Sequence, residues 1–157
     1  MPKITPCLWF DFQAEEAVAH YTRIFRRSRV LETAYYGDAV PQHKGRVLTI
    51  RFEIEDQPLL ALNGGPQFPF SEAISLSVDC ADQAEVDRLW EQLSEGGAES
   101  QCGWLKDRFG LSWQIVPTAL TRMLQDPDAA RVQRVMQAMF TMTRLDLARL
   151  QAAYDGV

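Results

Sequence analysis

With only two histidines and three cysteines, the chain is short of the side chains that most metal and thiol chemistry requires. Cys7, Cys80 and Cys102 form no CxxC pair and cannot all pair internally, so neither a disulfide framework nor a thiolate zinc site is expected, and a reducing compartment is the simpler reading. Clustered Lys and Arg are also missing, and the net charge is -5. Binding phosphates depends on such clusters to displace counterions, so no nucleic-acid partner is expected. No window approaches the roughly 20 apolar residues that cross a bilayer, and Met1 to Pro6 carry no apolar signal stretch. No membrane partner is expected, and the chain reads as cytoplasmic. Gly-x-Ser-x-Gly, HExxH and P-loop patterns are absent as well.

What is present suits one domain with a proper core: 157 residues, 46% hydrophobic and 24% charged. The residues spell one segment plan twice, a strand, a helix and then short strands. The first copy spans 5–63. Thr5 to Phe12 is a mainly apolar run that predicts a central strand covered on both faces. Ala14, Ala17, Val18, Tyr21, Ile24 and Phe25 fall at helical offsets, with Glu15 and Glu16 in the first turn. Strands follow at 29–36, 46–54 and 57–63, and Asn63-Gly64-Gly65-Pro66 closes the unit.

The second copy, 73–117, opens with the alternating Ala73-Ile74-Ser75-Leu76-Ser77-Val78-Asp79. Asp82 to Glu85 forms a capping box before the stripe of Val86, Leu89, Trp90 and Leu93. Strands are expected over 100–106 and 111–116, joined by a turn from Asp107 to Gly110. Gln-Ala-Glu at 13–15 recurs at 83–85, which supports an internal duplication. Residues 118–157 read as C-terminal helices, with Asp126-Pro127 as a helix start and Val132, Val135, Met136, Met139 and Phe140 as an apolar stripe. The whole of 1–157 is expected to be a single α+β domain of paired βαβββ modules with a helical tail.

The doubled plan, together with Ala14-Glu15-Glu16-Ala17, Leu62-Asn63-Gly64-Gly65-Pro66 and Gly103-Trp104-Leu105-Lys106-Asp107-Arg108-Phe109-Gly110-Leu111-Ser112-Trp113-Gln114, resembles the PhnB-like family of the vicinal oxygen chelate superfamily. Glyoxalases, extradiol dioxygenases and bleomycin-resistance proteins belong to that superfamily. The resemblance implies a curled sheet around a concave cleft, and a homodimer whose cleft lies near the partner subunit. It also implies metal-ligand positions at or beside Cys7, Ala61, Ala73 and Gln114, where two alanines offer no donor. No metal and no cofactor are therefore expected. Some relatives carry the label 3-demethylubiquinone 3-methyltransferase, yet no glycine-rich strand-to-helix turn of the Rossmann type is present.

Strand alternation nominates Cys7, Trp9, Asn63, Ser75, Ser77, Ser112 and Gln114 for the concave face, with Trp104 nearby. One indole among hydroxyls and amides fits a small, partly aromatic ligand. The alternative for the same surface is that Trp9 and Trp104 or the tail fill it. Cys102, close in sequence to Lys106, and Gln114 are the candidates for chemistry on a small metabolite, while His20 and His43 read as surface residues. Two functions stay open, metal-independent binding and catalysis on a small metabolite.

Overall fold

In the computed structural model, which describes residues 2–157, the chain forms two compact units, one ending at Phe70 and the other running from Ser71 to Val157. The first contains β1 (Cys7–Phe10), α1 (Ala14–Ile24), β2 (Ser28–Tyr35), β3 (Val47–Ile54) and β4 (Gln57–Asn63), with the sheet order β1-β4-β3-β2. β1 and β4 run parallel, a pairing that needs a crossover connection, and the other neighbours are antiparallel. The stripe predicted on α1 is buried, from Ala14 through Ala17, Val18 and Tyr21 to Ile24. It packs on the sheet face that carries Leu8, Phe10, Ile50, Phe52, Leu59 and Ala61.

The first strand is not central, contrary to the reading of its apolar run. β1 is the end strand of its four-stranded sheet, and burial alternates along it: Leu8 and Phe10 are buried, Cys7 is exposed and Trp9 half-buried. The β3–β4 hairpin turns on Glu55 and Asp56, both at positive φ (46° and 66°), the left-handed pair that matches strand twist in two-residue hairpins.

The second unit repeats the order with β5 (Ser75–Cys80), α2 (Gln83–Ser94), β6 (Ala98–Glu99), β7 (Trp104–Lys106) and β8 (Ser112–Pro117). Its sheet runs β5-β8-β7-β6, the same permutation as the first, again with its first and last strands parallel. Both units are βαβββ modules, as the doubled segment plan predicts. α2 buries Val86, Leu89, Trp90 and Leu93, and Asp82 caps it by accepting the Glu85 N–H at 2.9 Å.

Two expectations about this unit are corrected. The strand expected over 100–106 is broken: β6 ends at Glu99, and the chain leaves the sheet at Gln101 to Gly103 before β7. Its cause is the tail. Cys102 and Gly103 take positive φ (59° and 85°) and donate their N–H groups to the carbonyls of Met142 and Thr143 at 2.9 and 2.8 Å. The helix start expected at Asp126-Pro127 lies further on, because the Asp128 carboxylate accepts the Ala130 N–H at 3.0 Å and caps α4.

The tail folds as α3 (Thr118–Leu124), α4 (Ala129–Met139) and α5 (Leu147–Asp155). Leu120, Met123, Val135, Met142, Leu145 and Leu150 make its own buried core. The predicted stripe therefore divides: Val135 points into this core, while Met136 and Phe140 are exposed.

The turn between β7 and β8 is organised by one buried carboxylate. Asp107 Oδ1 accepts the N–H groups of Phe109 and Leu111 at 2.9 and 3.1 Å, and Oδ2 accepts the Trp113 indole N–H at 2.9 Å. Removing it strands buried donors. Asp107→Ala should lower the unfolding free energy by about 3 kcal/mol in urea denaturation, whereas a loss below about 1 kcal/mol would show that the turn holds without the carboxylate.

Candidate functional site

In the second unit, strand pairing gathers several of the nominated residues on one sheet face. Gln114 lies between Ser77 on β5 and Trp104 on β7, and its side-chain amide donates to Ser75 Oγ at 3.0 Å. Their neighbours Leu105, Trp113 and Ile115 alternate to the other face and are buried. Where Trp104, Gln114 and Val116 meet Leu120, Leu124 and Phe140 of the tail, a cleft of about 650 Å³ opens. Its lining is mainly apolar, with Ser100, Gln101, Gln114 and Thr121 as neutral polar groups and Glu72 as an acid.

Cys102 stands in the same wall, half-buried. The backbone around it is fixed. Beyond the two bonds to the tail, Gly103 O accepts the Ile115 N–H at 2.8 Å. A Cβ on Gly103 would come within 2.9 Å of Leu145 Cδ1 and 3.0 Å of Ile115 O, at a φ of +85° that favours glycine. The Gln83 amide secures the same stretch from α2, donating to Leu145 O at 3.0 Å and accepting the Leu147 N–H at 2.7 Å. Lys106, read in the sequence as a charge near the Cys102 thiol, forms an ion pair with Glu72 Oε1. That hydrogen bond holds the Glu72 carboxyl below the usual carboxylate range.

Cys7, Trp9 and Asn63 belong to the first unit, and Asn63 does not face the side that carries the other two. It pairs with Phe10 across the β1–β4 ladder and so shares the buried α1 face. There Asn63 Oδ1 accepts the Ala14 N–H at 2.9 Å, while Nδ2 donates to Glu15 Oε1 at 2.7 Å and Val47 O at 3.1 Å. It is a brace between sheet and helix. The Trp9 indole N–H donates to Gly65 O at 2.9 Å, and its ring meets Phe68 edge-on at 4.9 Å. A Cβ on Gly64 would fall 2.3 Å from Trp9 Cζ2, so this glycine makes room for the indole.

The histidines depart from the surface reading. His20 is buried on α1, its ring 6.0 Å from that of Tyr21. His43 is half-buried, its ring 4.8 Å from Phe12 and 5.3 Å from Tyr36, with the Arg46 guanidinium 3.8 Å over Phe12. The inherited metal positions also shift. Ala61 is fully buried on the α1 side, leaving Leu60 and Leu62 on the opposite face, and Ala73 precedes β5, whose first residue is Ser75. A thiol, leucines, a hydroxyl and an amide do not fit a catalytic divalent ion. Among the described residues no group of three His, Cys, Asp or Glu is placed to hold a metal ion. Among the described residues no helix is long and apolar enough to cross a membrane.

The sequence marks Glu72 and Gln67 as polar residues at the unit junction without assigning either a role, and leaves open whether the tail covers the sheet, because the apolar stripes of 118–157 announce helices without saying which side meets it. The three thiols are free and differ in setting. Burial pushes the Cys80 thiol up to about 12, so at pH 8 it stays protonated. Titration with a disulfide reagent at pH 8 should modify Cys102 and the exposed Cys7 in the native protein and Cys80 only after unfolding. Native labelling of Cys80 at the rate of Cys7 would contradict the burial.

The family model for 3-demethylubiquinone-9 3-methyltransferase matches residues 2–116. A PhnB protein from Bacillus cereus, named as a candidate 3-demethylubiquinone-9 3-methyltransferase, is 30% identical with a TM-score of 0.68, over 74% of this chain and 99% of that one. A Pseudomonas aeruginosa protein is 23% identical with a TM-score of 0.61, over 74% of this chain and 98% of that one. No curated protein matches. The family match stops before α3, so the helices that wall the cleft lie outside it.

Proposed function

This chain belongs to the 3-demethylubiquinone-9 3-methyltransferase family of PhnB-like proteins, and we propose that it is a metal-independent binding protein for a small, partly aromatic molecule. The ligand occupies the cleft of the second unit. One observation carries this reading: a largely apolar cleft of about 650 Å³ is lined by the Trp104 indole and the Gln114 amide on the sheet and by Leu120, Leu124 and Phe140 on the tail. Ligand sites combine such apolar walls with a few polar groups that set orientation. The indole offers a stacking surface, and the amides and hydroxyls offer hydrogen bonds.

Methyl transfer from S-adenosylmethionine, which the family's description implies, finds little to hold that cosubstrate. The turns into α1 and α2 read Asp11-Phe12-Gln13 and Ala81-Asp82, without the glycines of a dinucleotide-type cradle. Both helix starts are already engaged, α2 by its own Asp82 carboxylate and α1 by Asn63. The mismatch of donors at the inherited metal positions supports binding without a metal.

Two measurements test the proposal. Calorimetric titration of the chelator-treated full chain with 1-naphthalenemethanol should show saturable binding, weakened at least tenfold in both Trp104→Ala and Phe140→Ala; the loss of a stacked aromatic pair and its buried area is of that order. Binding that appears only after metal is restored, or that both variants retain, would refute it. Assembly as a homodimer completes the reading, since Met136 and Phe140 lie outside the tail's core and a two-fold contact would cover them from both chains. Light scattering at micromolar concentration should return the dimer mass, and a monomer there would contradict the assembly.

A further inference from the structure

Among the described residues that line the cleft, Glu72 carries the one charge; the other polar members are two amides and two hydroxyl residues. Its partner Lys106, two residues along β7 from Trp104, is not part of the lining, whereas Glu72 is. Lys106 engages Oε1, and a carboxylate has about four lone-pair sites, so acceptor capacity remains for a second donor. The Trp104 indole in the same wall attracts a cation through its ring face. At longer range, a net charge of -5 favours approach of a cation over an anion.

We propose that the cleft selects an amphipathic organic cation, with an aromatic or branched apolar body against Trp104, Leu120 and Phe140 and an ammonium group directed at Glu72. This rests on the cleft being the ligand site. A neutral ligand leaves the Glu72 carboxylate to Lys106 and water, and an anion finds no cationic partner among the described lining residues. The Lys106 hydrogen bond also keeps the carboxyl ionised through neutral pH, so the acceptor is charged under ordinary conditions. Lys106 competes with the ligand for that charge, so removing its ammonium strengthens the preference.

The test uses three probes of one shape on the full chain at low salt: 1-naphthylmethylamine, 1-naphthalenemethanol and 1-naphthoate, each titrated by calorimetry. The amine should bind about fivefold more tightly than the alcohol and the naphthoate more weakly than either, the scale of a partly exposed ion pair. Glu72→Gln should bring the affinity of the amine down to that of the alcohol measured on the same variant, and Lys106→Gln should enlarge the advantage of the amine. Glu95→Gln, which makes the same change in net charge away from the cleft, should leave the ratio as it was. Equal binding of all three probes, or an amine advantage that survives Glu72→Gln, overturns the charge selection while leaving the cleft as a binding site. Failure of all three probes to bind overturns the site and this inference together.

Discussion

The cleft depends on two backbone hydrogen bonds, from Cys102 and Gly103 to the carbonyls of Met142 and Thr143. They take these residues out of the sheet ladder and join the βαβββ module to the helical tail at one place. Gly103 permits the join, since a side chain there would meet both Leu145 and the Ile115 carbonyl. Gln83 reinforces it from α2 with a reciprocal pair of bonds to the tail backbone. Without this anchoring, the face bearing Trp104 and Gln114 would lack its second wall, and the tail's core around Val135 and Leu150 would have no fixed seat.

The family match covers the two modules and not the helices that follow them. Residues 2–116 supply the family fold, and the wall formed by Leu120, Leu124 and Phe140 comes from beyond them. On the binding reading proposed above, ligand selection resides partly in a segment that the family model does not cover, so the family's description is a weak guide to that ligand. The proposed preference for an amphipathic cation rests on the same lining, with Glu72 beside the Trp104 indole and apolar tail residues.

Much of the fold was legible in the sequence because each module states its periods plainly. The α1 stripe from Ala14 to Ile24 and the α2 stripe from Val86 to Leu93 are buried as their spacing predicts, and the strand order repeats. Register was harder. Asn63 was placed on the face of Cys7 and Trp9, but it pairs with Phe10, and a slip of one residue reverses the face of every side chain in a strand. The break in the strand expected over 100–106 was hidden because its cause lies some 40 residues downstream, at Met142 and Thr143. Within the candidate site, Cys102, Trp104 and Gln114 do converge, since adjacent strands of one hairpin bring them together. Glu72 and the tail residues gave no local signal, as a turn acid and an apolar helical stripe look alike whether they line a cleft or cap a surface.

Hydrogen exchange on the full chain, with and without saturating 1-naphthylmethylamine, tests the central claim most directly, because it reports where a ligand acts amide by amide. A ligand in the tail-walled cleft should slow exchange at Cys102 and Gly103, whose N–H groups bond the tail, and along the end of α4 near Phe140. Protection confined to the first unit, around Trp9 and the Gly64-Gly65 turn, with the amides of 102 and 103 unchanged, would contradict it.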